Sequence, residues 1–399
     1  RQDPESVHHL AVKGLQCLGA IAPLRAAMEK FNLVRDEKPT EIFGVKFPNK
    51  IGLAAGFDKD ALVWRAMPAL GFGHVEIGTV TCHDQIGNPK PRIFRYPQDE
   101  AIVNFCGFPN DGAEAIASRL AKSRAKKTKK IPLGINIGKS KITPIGEAAQ
   151  DYIFSYNKLA DFADYFTVNV SCPNLPELRK LQSKDNLSRL MSALKNADAE
   201  RAEKFGKAKV PFLVKIAPDL SFREIDDVIE TVENLDLGGI VATNTTTTRP
   251  ENSGYETKGG LSGAPIFEKS REIVAYICKN TKKPVIAVGG ISDTERAAKM
   301  LDAGASLIQI YSSFIFKGPF FAKELAKSLY WRSGSKWIFF PPPPRKNFSS
   351  TKDAALRVFF LRQNQHYQTL PKYFFYLGGS ALSWTRYDKQ NIPNKRQKN

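Results

Sequence analysis

Between residues 50 and 329 the chain repeats one pattern eight times: a short run of β-branched and aliphatic residues, then a longer stretch with apolar residues at helical spacing. Strands are predicted at 50–55, 74–79, 131–137, 165–170, 211–217, 238–243, 284–289 and 306–311. Helices are predicted at 60–70, 111–129, 147–163, 185–205, 221–235, 266–280 and 292–303, with a last one at 319–329. Each parallel strand needs a crossover before the next, so eight strand–helix units in about 280 residues are the rhythm of an α/β fold closed as a (β/α)8 TIM barrel. A doubly wound open sheet is the competitor. The number of units and the lack of a G-x-G-x-x-G opening disfavour it.

Ahead of the barrel, Val7, Leu10, Ala11, Gly14, Leu15, Leu18 and Ile21 share one helical face. Pro23 interrupts, and Leu24, Ala27, Met28 and Phe31 continue as a second short helix. Such a pair can cap the domain, dock on a lipid surface or form the mouth of an apolar channel. Behind the barrel the composition changes. Residues 331–399 carry a run of four prolines at 341–344, aromatic doublets such as Phe339–Phe340, and 13 Lys and Arg against 2 Asp and Glu, a surplus of 11 out of the chain's 19. The basic charge is thus mostly a property of the tail, and nucleic acid is not an expected partner. The tail reads as a basic or proline-rich recruitment arm, or as sequence never selected to fold; its aperiodic aromatic doublets favour the second. The expected plan is an amphipathic segment at 1–38, a barrel at 39–329 and an atypical tail at 330–399 whose composition does not require it to fold.

No run approaches the ~18 uninterrupted apolar residues of a membrane span. The chain opens at Arg1 without a Met, which leaves an upstream targeting or anchoring segment open. Five scattered cysteines without a C-x-x-C pair, and histidines adjacent only as His8–His9, point to a reducing compartment and to no metal site.

Barrels of this kind place their chemistry at the carboxyl ends of the strands. There the chain offers Asn136, Asn169, Lys215 and Asn244, none of which suits a purely apolar barrel. An unpaired buried amide costs about 1–3 kcal/mol, so Asn169 needs a partner, either a ligand or a neighbouring loop. A buried ammonium needs an anionic partner, and no acidic residue is visible at the strand ends beside Lys215. An electron-rich cofactor ring would serve. The glycine-containing ends of strands seven and eight are where such barrels bind phosphate through backbone N–H groups, and flavin mononucleotide (FMN) meets both demands most simply.

The segments AAGFDK (54–59), NVSCPN (169–174), KIAPDL (215–220), ATNTT (242–246), GGLSG (259–263), AVGGI (287–291) and QIYSS (309–313) resemble those of dihydroorotate dehydrogenase, in order and spacing, over about residues 3–329. The opening DPESVHHLAV resembles the membrane-associated, quinone-reducing class, whose helical pair forms an apolar tunnel to the flavin. The resemblance implies oxidation of dihydroorotate to orotate in UMP biosynthesis, with quinone as acceptor. It also implies attachment to the inner mitochondrial membrane in a eukaryote or the cytoplasmic membrane in a bacterium.

The resemblance implies that Ala55, Gly56, Lys59, Thr79, Asn136 and Asn169 contact FMN, together with Lys215, Thr243, Gly263, Gly290, Tyr311 and Ser312. It assigns dihydroorotate to Lys59, Asn104, Phe105, Cys106, Gly107 and Phe108, and to Asn169, Asn174, Asn244 and Thr245. His8 and Arg95 match positions beside the quinone tunnel. Forming the C5–C6 double bond requires a base on one face of the substrate and a hydride acceptor on the other, and Cys172 holds the base position. Ser171 or a water is the alternative base.

The chain departs from the class in two places. Quinone-reducing members carry Ser where Cys172 stands, and Cys is typical of soluble members that use fumarate or NAD; a thiol with a pKa of ~8.5 is the readier base. Pro109 stands where Asn is more frequent, removing a backbone donor and stiffening the loop 104–112.

Overall fold

The computed structural model describes residues 3–124, 131–171, 180–330, 373–378 and 381–386. The chain divides into two units, Arg1–Trp337 and Ile338–Asn399. In the first, α1 (Pro4–Ala20) starts with Asp3 accepting from the Ser6 N–H and with proline at its first position. α2 (Ala22–Asn32) follows after a single extended residue, Ile21. The break thus falls ahead of Pro23, which sits in the first turn of α2 and starts that helix instead of interrupting one. The Arg25 guanidinium pairs with Glu29 at 3.3 Å and donates to the Gly19 carbonyl, clipping the two helices together.

A hairpin of β1 (Thr40–Ile42) and β2 (Val45–Phe47) precedes the barrel. Then come β3 (Ile51–Leu53), β4 (His74–Val80), an excursion with β5 (Ile93–Tyr96) and β6 (Ala101–Asn104), α3 (Gly112–Arg124), β7 (Leu133–Ile137), α4 (Ala148–Leu159), β8 (Tyr165–Asn169) and α5 (Lys184–Phe205). After them follow β9 (Phe212–Ile216), α6 (Phe222–Asn234), β10 (Gly239–Ala242), β11 (Gly260–Gly263), α7 (Phe267–Asn280), β12 (Val285–Val288), α8 (Thr294–Asp302), β13 (Leu307–Ile310), α9 (Ser312–Lys317) and α10 (Phe321–Tyr330). Eight parallel strands close in the order β10-β12-β13-β3-β4-β7-β8-β9, the predicted barrel. The second unit contains one described element, the antiparallel pair β14 (Tyr373–Gly378) and β15 (Ala381–Arg386). Both readings of the tail otherwise fall outside the described residues.

Two differences from the expected elements have local causes. The first crossover is a buried 3-10 helix, Trp64–Leu70, which holds Pro68 inside it. α2 packs over it, Asn32 Nδ2 donating to the Ala69 carbonyl at 2.7 Å. The sheet β11-β6-β5 was not predicted, because its strands are only four residues long and lie in excursions after β4 and β10.

The barrel strands are buried on both faces. Outward residues such as Val75, Ile77, Ile135, Phe166, Val214, Ile240 and Ile308 join one large core beneath the helices. Inward residues alternate with them: Leu213, Val241, Ile286 and Leu307 fill the interior with Tyr165 and with Phe47 of the hairpin. The rings need space from the neighbouring strands. A Cβ on Gly52 would lie 2.0 Å from the His74 ring, and one on Gly134 would lie 2.2 Å from that of Tyr165, so glycine is required at both places.

Candidate active site

At the carboxyl ends of the strands a cavity of about 580 Å³ opens. It is lined by Ala55, Gly56, Lys59, Thr79, Asn169, Lys215, Thr243, Gly263, Gly290, Tyr311 and Ser312, and it extends past Asn104, Cys106, Gly107, Phe108, Asn244 and Thr245. It continues between Arg95 and one face of α1, where Pro4, Val7, His8, Ala11, Gly14 and Leu15 form its wall. One continuous space therefore brings together nearly all the residues expected at the cofactor, substrate and tunnel positions. Asn136 and Phe105 do not line it. Asn136 is fully buried behind Thr79. Cys172 and Asn174 lie outside the described residues.

The side chains at the mouth hold one another in place. Thr79 Oγ1 donates to Asn136 Oδ1 at 2.6 Å, and Asn169 Nδ2 donates to Thr79 Oγ1 at 3.1 Å and to Asn136 Oδ1 at 3.3 Å. Ser171 donates to Asn169 Oδ1 through its N–H at 3.2 Å and its hydroxyl at 3.1 Å, and Asn244 Nδ2 donates to Ser171 Oγ at 2.9 Å. Asn169 thus finds its partners in neighbouring strands and loops and still faces the cavity. The Ser171 hydroxyl is engaged on both sides, a scaffold position that leaves it poorly placed as a base.

Lys215 is buried, and its Nζ lies 3.9 Å from Oε1 of Glu76. This corrects the expectation that no acidic partner was near. Glu76 sits in the middle of β4, not at a strand end, within the run HVEIGTV; a charged residue inside an otherwise apolar strand was the signal to follow. Burial pushes the Lys215 ammonium toward neutrality and Glu76 opposes it.

Other positions gain their geometry from residues the sequence reading passed over. Asp58 is buried and accepts from the N–H groups of Leu62 at 2.7 Å and Val63 at 2.9 Å, fixing the turn that carries Lys59. Burial lifts its carboxyl to about 6. Lys59 Nζ donates to the Gly56 carbonyl at 2.8 Å. Arg296 donates to the carbonyls of Ala264 at 3.2 Å and Gly290 at 3.1 Å, tying the turns after β11 and β12 together. Gly290 has φ +67°, and a Cβ there would lie 2.6 Å from Phe267 Cα. His8 packs edge-on against Phe57, ring centroids 5.0 Å apart, and burial together with the Lys59 charge lowers it to about 4.

The loop 104–110 is anchored from outside. Asn88 Nδ2 donates to the Phe105 carbonyl at 3.0 Å, Gln85 Nε2 to those of Gly107 and Phe108, and Asn110 Nδ2 to Thr81 Oγ1 at 2.7 Å. Arg92 supports the same region from beneath, donating to the Ile86 and Asn88 carbonyls and closing on Glu5 of α1 at 2.6 Å.

Among the described residues, Cys17, Cys82, Cys106 and Cys278 are free thiols. Cys82, His83 and Asp151 come within 4.8 Å of one another, a grouping the sequence reading missed because it pairs adjacent residues with one from a later unit. The Asp151 carboxylate is taken up by the Ser140 N–H at 3.0 Å and Thr143 Oγ1 at 2.6 Å.

Comparison with known proteins follows the same lines. The family description "Dihydroorotate dehydrogenase" matches residues 38–332. Among curated relatives, "Dihydroorotate dehydrogenase (quinone)" of Halobacterium salinarum is 42% identical over 329 residues, covering 82% of this chain and 90% of that protein. The protein of the same name from Natronomonas pharaonis is 43% identical over 330 residues, with the same coverage. Among solved structures, DHODH from Eimeria tenella in complex with ferulenol superposes with a TM-score of 0.72 at 34% identity, covering 82% of this chain and 90% of that one. The ligand-free form from that organism gives 0.72 at 35% identity, covering 83% and 96%.

Proposed function

The chain belongs to the dihydroorotate dehydrogenase family, and from that premise we propose how its cavity is shared between cofactor, substrate and acceptor. The enzyme is a flavoprotein that oxidises dihydroorotate to orotate in pyrimidine biosynthesis and passes the electrons to quinone. Cys172 therefore does not mark a fumarate- or NAD-using form.

The flavin is FMN, which Lys215, Gly263, Gly290 and Ser312 would hold, the ammonium meeting the ring and the glycine turns and serine meeting the phosphate. The fit rests on the roomy cavity and on the glycine-requiring approach of the turn at 290. When bound, FMN would supply the hydride acceptor and the onward path for electrons. The remaining work is done by the chain. Asn169, Asn244 and Thr245 match the alternating carbonyl and N–H groups of dihydroorotate, with Asn104, Cys106, Gly107 and Phe108 bordering the same space, and Lys59 takes its carboxylate. The base is Cys172, the residue directly after Ser171. It removes the C5 proton from the face opposite the hydride acceptor.

Quinone enters along the arm of the cavity between α1 and Arg95, with His8 as a neutral wall residue. The helical pair lies on a membrane surface: Leu10, Ile21, Leu24 and Phe31 are exposed large apolar residues on α1, α2 and the turn between them. Among the described residues no helix is long and apolar enough to cross a membrane.

One observation carries the whole reading: the cavity is continuous from Lys215 and Asn169 to His8. The test is an anaerobic titration of the purified protein with dihydroorotate, following the flavin absorbance band. Bleaching supports the assignment. A band that persists places the fault in Cys172 or the Pro109 loop, and the absence of any band favours a non-catalytic barrel.

A further inference from the structure

Glu76 is fully buried inside the barrel, yet groups from four other strands converge on its carboxylate. Asn136 Nδ2 of β7 donates to Oε1 at 2.8 Å. Thr167 Oγ1 of β8 and Gln309 Nε2 of β13 donate to Oε2 at 2.9 and 3.0 Å. Lys215 of β9 stands 3.9 Å from Oε1, within ion-pair range but beyond hydrogen-bond reach. The pair is therefore lopsided. The carboxylate is satisfied by three neutral donors, while the ammonium keeps its protons for the cavity it lines. β4 and β9 are separated by β7 and β8 in the barrel order, which holds the two charges apart across its interior.

We propose that Glu76 is a positioning residue for the cofactor site: a fixed counter-charge that keeps Lys215 protonated and directed into the cavity, and through it sets the reduction potential of the bound flavin. This rests on the flavin reading above. Removing a buried counter-ion leaves the remaining charge uncompensated, and a buried amine answers by giving up its proton. Glu76 does not line the cavity and Lys215 does, so the ammonium has the stronger hold on what lies there. Losing Lys215's charge lowers the flavin potential. Losing only the field of a distant carboxylate raises it.

The discriminating substitution is Glu76→Gln. It removes the charge, and the pocket can accommodate it: Gln309 Oε1 is buried without a partner, so turning that amide offers an acceptor to the new NH2 group. The midpoint potential of the bound flavin is measured in the wild type, E76Q, K215M and the double variant. The expected result is a fall in E76Q, in the same direction as K215M, of tenfold or more in the reduction equilibrium, about 30 mV for a two-electron couple. E76Q should add nothing in the K215M background. A rise in potential that persists in that background would mean a direct field effect and would overturn the proposal, as would an unchanged potential. Should E76Q not bind flavin, Glu76→Asp carries the test: the carboxylate retreats by a methylene and the potential must move part of the way toward K215M, an unchanged value counting against the idea. Absence of flavin from the wild type would instead sink the reading of the site itself.

Discussion

The two ends of this barrel are built from the same strands and both hold polar side chains, but only one end uses them. At the mouth, Thr79, Asn136, Asn169 and Asn244 bond to one another beside an open cavity. At the amino end, both nitrogens of His74 and the hydroxyl of Tyr165 are buried without a hydrogen bond. They are sealed under the β1–β2 hairpin, with Phe47 edge-on to His74 at 5.3 Å and Phe43 5.6 Å from Tyr165. A polar residue inside a barrel is therefore not by itself a site. What distinguishes the mouth is a connected network with space in front of it, and substitutions at the two ends should separate accordingly.

The largest separation is expected from Asn169→Ala. Asn169 joins Thr79, Asn136, Ser171 and Asn244 and faces the cavity, so its loss disorders several groups at once. Turnover should fall on the order of a hundredfold or more while the fold survives. Steady-state kinetics with a thermal melt check this; equal activity would mean that the network serves folding only. Phe47→Ala should do the reverse. It empties the space above a packed interior and should cost about 3–5 kcal/mol of stability, with kcat per bound flavin unchanged. A matching loss of kcat would show that the two ends are mechanically coupled.

Much of this contrast was readable in advance, for a physical reason. Strands buried on both faces advertise themselves as apolar runs, so all eight were found, and the mouth residues stood out because the carboxyl ends of barrel strands are where polar groups gather. Glu76, His74 and Gln309 did not stand out. They lie mid-strand or at strand starts, where the alternation of inward and outward positions decides their surroundings and no strand-end rule applies. The β11-β6-β5 sheet and Arg296 depend on long-range packing that short segments do not encode, and the hairpin strands, three residues each, are too short to show a period. Pro23 was misread because proline breaks a helix only from inside it, and here it lies in the opening turn.

A pH series sharpens the comparison further. Burial holds His74 at about 3, and burial plus the Lys59 charge hold His8 at about 4, both below the ordinary 6.5. Between those values and 6.5 the unfolded chain binds more protons than the folded one, so stability must drop as the pH falls below 6.5. His74 stops contributing to the slope only near pH 3, and His8 near pH 4. A single such group contributes at most about 1.4 kcal/mol per pH unit. Melting curves of the wild type and His74→Gln from pH 7 to 4.5 should show a shallower decline in the variant; identical slopes would mean His74 is protonated in the folded state.

The smallest change is expected from Tyr165→Phe. The hydroxyl approaches Gln309 without closing a hydrogen bond, and its burial strongly disfavours ionisation. Removing a buried polar atom that has no partner deletes a desolvation cost and no bond, so stability should stay within about 1 kcal/mol of the wild type, on the stabilising side. Urea unfolding with an unchanged slope would measure it. A loss above about 2 kcal/mol would mean that the hydroxyl is paired in solution. Through Gln309 it would then join the Glu76 network, and the barrel would hold one polar column from end to end instead of a used mouth above a sealed floor.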